Sequence, residues 1–490
     1  MNVFFRADAS LAIGTGHVMR CLALAGELRK RGSETGFICK EEKGHLIDLI
    51  KLKSSSTFIL PGDSSYANDN ALTEKILQDQ KKKPDWMVVD HYHLNAEWET
   101  SIKGHVDGLM VIDDFEDREH DCDILLNQNF SLNDRRYQRM VSDDCLTLLG
   151  PKYALLRDQF YEARQNTRSR NGDVKRILVF MGGVDPDNVT LKALHAVQRI
   201  NNPDISVDVV VGKNCPHIRQ IREAAKALSG SECHVQIDNM AEVMVKADLC
   251  IGSGGIAAWE RSSVGLPSIL ICMADNQEQV INDLEKAGFV IYSGWHSKIS
   301  EEGIYQDITF LLRHPAIVNK MSQKSWELTD GRGAARIAEI LMKYPGTIKI
   351  RPASAGDCKL VYQWRNDPRT REFFFDTSPL SWERHKTWYE AILSQQDSVL
   401  LIGEESKSPI GTIRYDFNGA EVNTSVYLDP EKTGRGYGPK LLKSGIQWIK
   451  ENYPQGRMIK ADILPQNKKS LQAFTNVGFR ESYRMFTFEL

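Results

Sequence analysis

Val3 to Gly32 reads VFFRADASLAIGTGHVMRCLALAGELRKRG. Val3 to Arg6 is a short strand, and Ile13-Gly14-Thr15-Gly16-His17 is a glycine-rich loop. Val18, Cys21, Leu22, Ala25 and Leu28 then recur at the three-and-four spacing of one helix face. Gly32 ends that helix. Further apolar strands follow at Thr35 to Cys39, Trp86 to Val89, Leu109 to Ile112 and Ile124 to Leu126. Strands alternating with helices predict an α/β fold with a doubly wound parallel sheet.

The same grammar restarts downstream. Asp158 to Asp173 is polar and rich in arginine (Arg164, Arg168, Arg170) and reads as a linker with a helical first half. Arg176 to Met181 is a strand, Gly182-Gly183 a turn, and Asp185 can cap a helix whose first position is Pro186. Strands are expected again at Ser206 to Val211, Val235 to Ile237, Leu249 to Gly252 and Ser268 to Ile271. Two such units in series predict two Rossmann-like lobes, with ligands at the carboxyl ends of the strands. Near Lys343-Tyr344-Pro345-Gly346 the pattern changes, and Ile348 to Arg351 opens an α+β unit. The expected domains are therefore 1–165, 170–345 and 348–490.

At 490 residues the chain is long enough for three independent cores. A net charge of −3 argues against a nucleic-acid partner, and Lys81-Lys82-Lys83, followed by Pro84 and Asp85, reads as a solvated helix end. Nine cysteines without a C-x-x-C pair or zinc spacing read as free thiols in a reducing, cytoplasmic compartment, with no metal expected. The N-terminus lacks the apolar region of a signal peptide. No apolar run approaches the roughly 18 residues of a membrane span.

Gly14 and Gly16 place His17 at a helix start, where the dipole disfavours imidazolium and suits a general base. Arg6, Asp8 and Ser10 stand at the end of the first strand, and Asp90-His91-Tyr92 and Asp113-Asp114 end later ones. Each could be an ordinary strand-end cap; together they converge on one sheet edge. In the second lobe Gly254 and Gly255 follow a strand and suit a diphosphate on loop amides, while Glu260, almost two turns into the next helix, suits a ribose diol. Asn276, in Asp275-Asn276-Gln277, follows the next strand. Packing glycines and a surface glutamate are the plain alternative.

In the third unit the strand Thr424 to Leu428 leads through Asp429-Pro430-Glu431-Lys432 to Thr433-Gly434-Arg435-Gly436-Tyr437-Gly438, which opens a helix. Three glycines at a helix N-terminus can wrap a pyrophosphate. Asn467, Ser470, Phe474 and Val477-Gly478-Phe479 follow in order.

Residues 1–345 resemble the UDP-sugar hydrolases of pseudaminic acid biosynthesis. The resemblance rests on RADAS–IG-x-GH-x-MRC (Arg6 to Cys21), VVDHY (Val88 to Tyr92), GPKYALLR (Gly150 to Arg157), MGGVDPDN (Met181 to Asn188) and the GSGG–WER and DNQ segments. It implies the two-lobed GT-B arrangement and release of UDP from UDP-2,4-diacetamido-2,4,6-trideoxy-β-L-altrose, by inversion and without metal. It also implies His17 as base, Ile237 and Met240 beside the uracil, Glu260 on the ribose, Gly254 and Gly255 on the diphosphate, and Arg157 and Asn276 on the substrate. Residues 348–490 resemble the Gcn5-related N-acetyltransferases (GNAT). That resemblance implies acetyl-CoA as co-substrate, held by Leu428, Thr433 to Gly438, Asn467 and Ser470. Thr433 stands where the family usually has Arg or Gln, and Phe474 where many members have a tyrosine acid. Trp364 to Pro368 and Ser381–Glu383–His385–Trp388 resemble the subfamily that acetylates UDP-4-amino-4,6-dideoxy-N-acetyl-β-L-altrosamine. Phe373-Phe374-Phe375 is either a sugar shelter or core. His385, Tyr415 and Tyr427 are candidate bases.

Three alternatives stand beside this one: a GT-B glycosyltransferase fused to an acetyltransferase, an acetyltransferase of protein N-termini, and a non-catalytic nucleotide-sugar binding module.

Overall fold

The computed structural model describes residues 1–482 except Ala12, Asp134, Asp143, Asp144, 345–347, Ser406 and Arg435. The chain divides into two compact units, Met1–Met342 and Lys343–Leu490.

The first unit holds two parallel sheets. Strands β1 (Asn2–Ala7), β2 (Glu34–Lys40), β3 (Ser56–Leu60), β4 (Trp86–Asp90), β5 (Leu109–Ile112), β6 (Ile124–Asn127) and β7 (Leu146–Leu149) are ordered 3-2-1-4-5-6-7. All their pairings are parallel. Strands β8 (Arg176–Phe180), β9 (Ser206–Val211), β10 (Glu232–Val235), β11 (Leu249–Ser253), β12 (Ser268–Cys272) and β13 (Val290–Trp295) are ordered 10-9-8-11-12-13. They are likewise parallel. Each order reverses direction once, between β1 and β4 and between β8 and β11, and such switch points open a crevice at the strand carboxyl ends. The residues after β1 and β11 are the two glycine loops. The central strands are buried along most of their length, as a sheet covered on both faces requires.

Local departures from expectation have local causes. The helix after β8 begins at Val189 rather than Pro186; Asp185 and Asn188 both take positive φ. The Asp185 carboxylate still accepts from the amides of Val189 and Thr190, at 2.9 Å each. Strand β10 ends at Val235, before the expected Ile237, because Gln236 turns to φ 57°. The arginine-rich stretch is more than a linker. Asp158–Gln165 is helical, and Arg164 stacks on Trp326 at 3.5 Å and donates to the carbonyls of Ser263, Trp326 and Thr329. Buried Arg170 donates to the carbonyls of Met244, Ala247, Val264 and Gly265. The stretch is thus fastened to the second lobe. The helix Gly333–Lys343 returns to the first, where the Trp86 indole donates to the Leu341 carbonyl at 3.2 Å.

The second unit is an α+β domain on one five-stranded sheet: β14 (Ile348–Pro352), β15 (Ser398–Glu405), β16 (Ser408–Asn418), β17 (Glu421–Leu428) and β18 (Met458–Lys460). The first four pair antiparallel in sequence order. β18 joins β17 in parallel, and only along Glu421 to Asn423. The remaining half of β17, Thr424 to Leu428, therefore runs on toward its loop without β18 beside it.

Candidate active sites

His17 is the second residue of the helix Gly16–Lys30 and is buried at the first switch point. The loop before it is closed by paired amide bonds between Ser10 and Gly14, the latter at φ 77°. The Gly14 amide is thus used within the loop, which makes Gly14 a turn residue. β4 lies beside β1, so its last residue, Asp90, faces His17 across the crossover. The His17 Nδ1 and Asp90 Oδ1 are 2.6 Å apart. Such a bond places the proton on Nδ1 and leaves Nε2 as the acceptor.

Arg20, one helical turn after His17, grips both oxygens of Asp90 at 2.5 and 2.6 Å and reaches Asp114 at 2.9 and 3.0 Å. Burial alone would raise the Asp90 carboxyl. The charges and hydrogen bonds of Arg20 and His17 instead hold it well below the usual carboxylate range. Asp90 is therefore a fixed anion, shared between an imidazole and a guanidinium. Asp114 also accepts from Tyr92 at 3.2 Å and Asn129 at 3.1 Å. The Tyr92 ring meets His17 edge-on at 4.3 Å.

Arg6 and Asp8, at the end of β1, take the structural role. Both are buried, and Arg6 is paired to Asp8 and Asp69 at 2.6 Å each. Asp8 also accepts from the Lys40 amide and stands 3.2 Å from His91. They form an internal brace beneath the loop, not a substrate contact. Arg20 is the residue with the weakest sequence signal. Its spacing of three from His17 and its place in the GH-x-MRC run mark it.

The second lobe presents the other loop. Gly255, at φ 70°, precedes the helix Ile256–Ser263, and a Cβ on Gly254 would press on Gln277 and Ile281 at 3.1 Å. A Cβ on Gly16 would lie 3.5 Å from the Ile256 side chain, so the two helix starts meet across the crevice. The Asn276 amide donates to the Tyr92 hydroxyl at 3.0 Å, tying that candidate to the His17 group. Glu260 is buried and accepts from Arg157 at 3.1 Å. Burial pushes its carboxyl up against the pull of Arg157. Met240 is a core residue and Ile237 packs half-buried on the same cluster. His17, Gly16, Asn276 and the Gly254–Gly255 loop thus gather at one crevice, and Arg157 joins Glu260 as an ion pair.

In the second unit Gly434 and Gly436 take φ 77° and 83°, and Gly436 caps the helix Tyr437–Asn452. This is the backbone geometry of an anion cradle at a helix start. Arg435 lies outside the described residues. The Thr433 hydroxyl donates to the Pro430 carbonyl, and Tyr437 is buried with its hydroxyl on Glu405 at 2.5 Å. Gly438 faces Ala473 of the helix Lys468–Asn476, which Asn467 caps by accepting from the Ser470 amide at 3.1 Å. Leu428 and Phe474 belong to the core.

His385 is buried among Tyr362, Trp382, Trp388 and Tyr389, with Nε2 3.1 Å from the Cys358 carbonyl. Burial pulls its pKa down. Burial raises the Tyr415 and Tyr427 phenols well above their ordinary range. Of the aromatic run, Phe374 lies under Arg365 at 3.6 Å and Phe375 is 76% exposed.

A GT-B-like pair of lobes with a carboxylate-held histidine at its switch point, followed by an acetyltransferase domain, is the class these features define. Residues 347–480 match the acetyltransferase (GNAT) domain family. An uncharacterized protein of Methanocaldococcus jannaschii is 27% identical across 98% of this chain and 97% of its own length. The UDP-2,4-diacetamido-2,4,6-trideoxy-β-L-altropyranose hydrolase of Campylobacter jejuni is 28% identical over 59% of this chain and 98% of its own. Among solved structures, MurG of Acinetobacter baumannii superposes with a TM-score of 0.52 at 12% identity, over 70% of this chain and 99% of that one, and it shows the GT-B-like fold. The chain thus joins a region similar to that hydrolase to a GNAT acetyltransferase domain. No helix among the described residues is long and apolar enough to cross a membrane.

Proposed function

We propose that the two units catalyse consecutive steps on one nucleotide sugar. The GNAT domain, 348–490, transfers acetyl from acetyl-CoA to the 4-amino group of UDP-4-amino-4,6-dideoxy-N-acetyl-β-L-altrosamine. The lobes 1–165 and 170–345 then hydrolyse the resulting UDP-2,4-diacetamido-2,4,6-trideoxy-β-L-altrose to UDP and free sugar. The observation that carries the hydrolytic reading is the Asp90–His17 bond at 2.6 Å, at the switch point facing the second glycine loop.

In this reading Asp90 keeps the His17 proton on Nδ1. Nε2 takes a proton from water as the water oxygen attacks the anomeric carbon, and the C–O bond to the diphosphate breaks with its electron pair leaving on UDP. Two helix starts favour that anion. Attack opposite the leaving group inverts the anomeric centre. The similarity to the Campylobacter hydrolase, which spans nearly that enzyme's whole length, supports water rather than a sugar acceptor. In the GNAT domain the amine attacks the thioester carbonyl, the C–S bond breaks with CoA leaving as its thiolate, and the proton lost by the nitrogen passes to solvent. Here the chain contributes alignment by the Gly434–Gly436 cradle, since Phe474 is apolar and buried.

The test is UDP release from preformed diacetamido substrate, with the anomer of the first product read by NMR. Inverted sugar and UDP, at a rate unchanged by a chelator, are expected. No UDP release from intact substrate would refute the hydrolytic assignment.

A further inference from the structure

Arg261 is 1% exposed and lies directly behind the second glycine loop. Its Nη2 donates to the Ser253 carbonyl, while Nε and Nη1 are buried with no hydrogen-bond partner. Gly252 leaves the room it occupies: a Cβ there would lie 2.9 Å from Nη1. Among the described residues no carboxylate lies within ion-pair distance of it, and Glu260 acts on it only through space. Its neighbour Glu260 bonds Arg157, and the group beside the guanidinium is the Cys250 thiol.

A guanidinium stays charged under all ordinary conditions, and an unpaired buried charge is strongly unfavourable. The other deeply buried arginines of this unit differ. Arg6 and Arg20 are held by aspartates and Arg170 by several carbonyls. Among the described residues Arg261 has one oxygen acceptor, the Ser253 carbonyl at the start of the loop that meets Gly16 across the crevice, with the Cys250 thiol beside it.

We propose that Arg261 is a positioning residue for the diphosphate of a nucleoside-diphosphate sugar: Glu260 alone faces both Arg157 and Arg261, and the positive charge left over, fastened to the Ser253 carbonyl, makes the Gly254–Gly255 loop an anion site. This rests on the reading that the second lobe binds UDP. The anion supplies the counter-charge that the protein does not. The nucleoside end of the ligand owes nothing to Arg261, so the residue discriminates diphosphate from nucleoside.

The test is calorimetric titration of the full chain with UDP and with uridine, on Arg261→Met and Arg261→Lys, alongside thermal unfolding. Arg261→Met keeps the length and removes the charge. It should weaken UDP about 10- to 100-fold, the range of a lost charge-assisted contact. Uridine affinity should stay unchanged, and the melting temperature should hold or rise, because an unpaired buried charge has gone. Arg261→Lys should recover most of the UDP affinity. A lowered melting temperature with unchanged UDP affinity in both variants would make Arg261 a packing residue and overturn the inference. Equal losses for UDP and uridine would also overturn it. If the unaltered chain failed to bind UDP, the reading beneath the inference would fall first.

Discussion

The His17 group and the Gly434–Gly436 loop both sit where a strand hands over to a helix, yet they are built from opposite materials. Around His17 the chain places Asp90, Arg20, Asp114, Tyr92 and Asn129 in one bonded network, nearly all of it buried. Around Gly436 it places backbone with positive φ and a helix start. The difference follows from the chemistry proposed for each. Activating water needs one imidazole in one tautomer, which takes side-chain partners on several strands. Aligning an already reactive thioester needs position more than proton transfer. The hydrolytic half should therefore be sensitive to single side chains, and the acetyltransferase half to the shape of its loop.

Gly436→Glu should break the second half most completely. Its φ of 83° strains any side chain, and a carboxylate would stand where phosphate is expected. Acetyl transfer should disappear while hydrolysis of preformed diacetamido substrate continues at the unaltered rate, as product analysis by mass spectrometry will show. His17→Gln should do the reverse. Hydrolysis falls about 10²- to 10⁴-fold, the usual loss for a general base, with acetyl transfer intact. Near-normal sugar release from a folded His17→Gln protein would remove the imidazole from the mechanism.

A smaller effect is expected at Glu260. Glu260→Ala leaves Arg157 without its partner and removes the proposed ribose contact, so UDP binding should weaken by about 1.5–3 kcal/mol, measurable by calorimetry. An unchanged dissociation constant would make the Arg157–Glu260 pair purely structural.

The smallest contrast is in stability against pH. Buried His120 lies 2.8 Å from Glu99. Burial opposes its charge, but the carboxylates of Asp113, 3.8 Å from Nε2, and Glu99, which accepts from Nδ1, prevail and raise its pKa to about 9. Its folded value exceeds the unfolded 6.5, so its stabilising effect is complete below pH 6.5 and is lost as pH climbs through about 9. His385 is shifted the other way by burial, so its domain should weaken as pH falls below 6.5. Peptide-resolved hydrogen exchange on the full chain, corrected for intrinsic rates, should show opposite slopes in the two regions. Parallel slopes would deny the two histidines these roles.

Much of this was legible in the sequence where neighbours in space are also neighbours in the chain. The strand–glycine–helix segments at Val3 to Gly32, Leu249 to Glu260 and Thr424 to Gly438 carry their geometry within about 30 residues, and His17 and both loops follow from them. The partners of His17 do not. Asp90 reaches it only because β4 crosses over to lie beside β1, and Asp114 joins through the next strand. The pairing of Arg6 was hidden for the same reason, since Asp69, which occupies it, lies on the helix Tyr66–Gln78. The polarity of Arg164 and Arg170 suggested solvent, whereas carbonyls at helix and strand ends absorb their donors. A sequence shows donors; it does not show which remote acceptors the topology delivers.

The measurement that bears most directly on the two-step account is a single incubation of the full-length chain with the UDP-4-amino sugar, followed by mass spectrometry. With acetyl-CoA present, the account predicts a transient UDP-diacetamido sugar, then UDP and free diacetamido sugar in equal amounts. Without acetyl-CoA it predicts neither acetylation nor appreciable UDP. UDP release at the same rate in both arms would contradict the proposed order, and so would an acetylated product that is never hydrolysed.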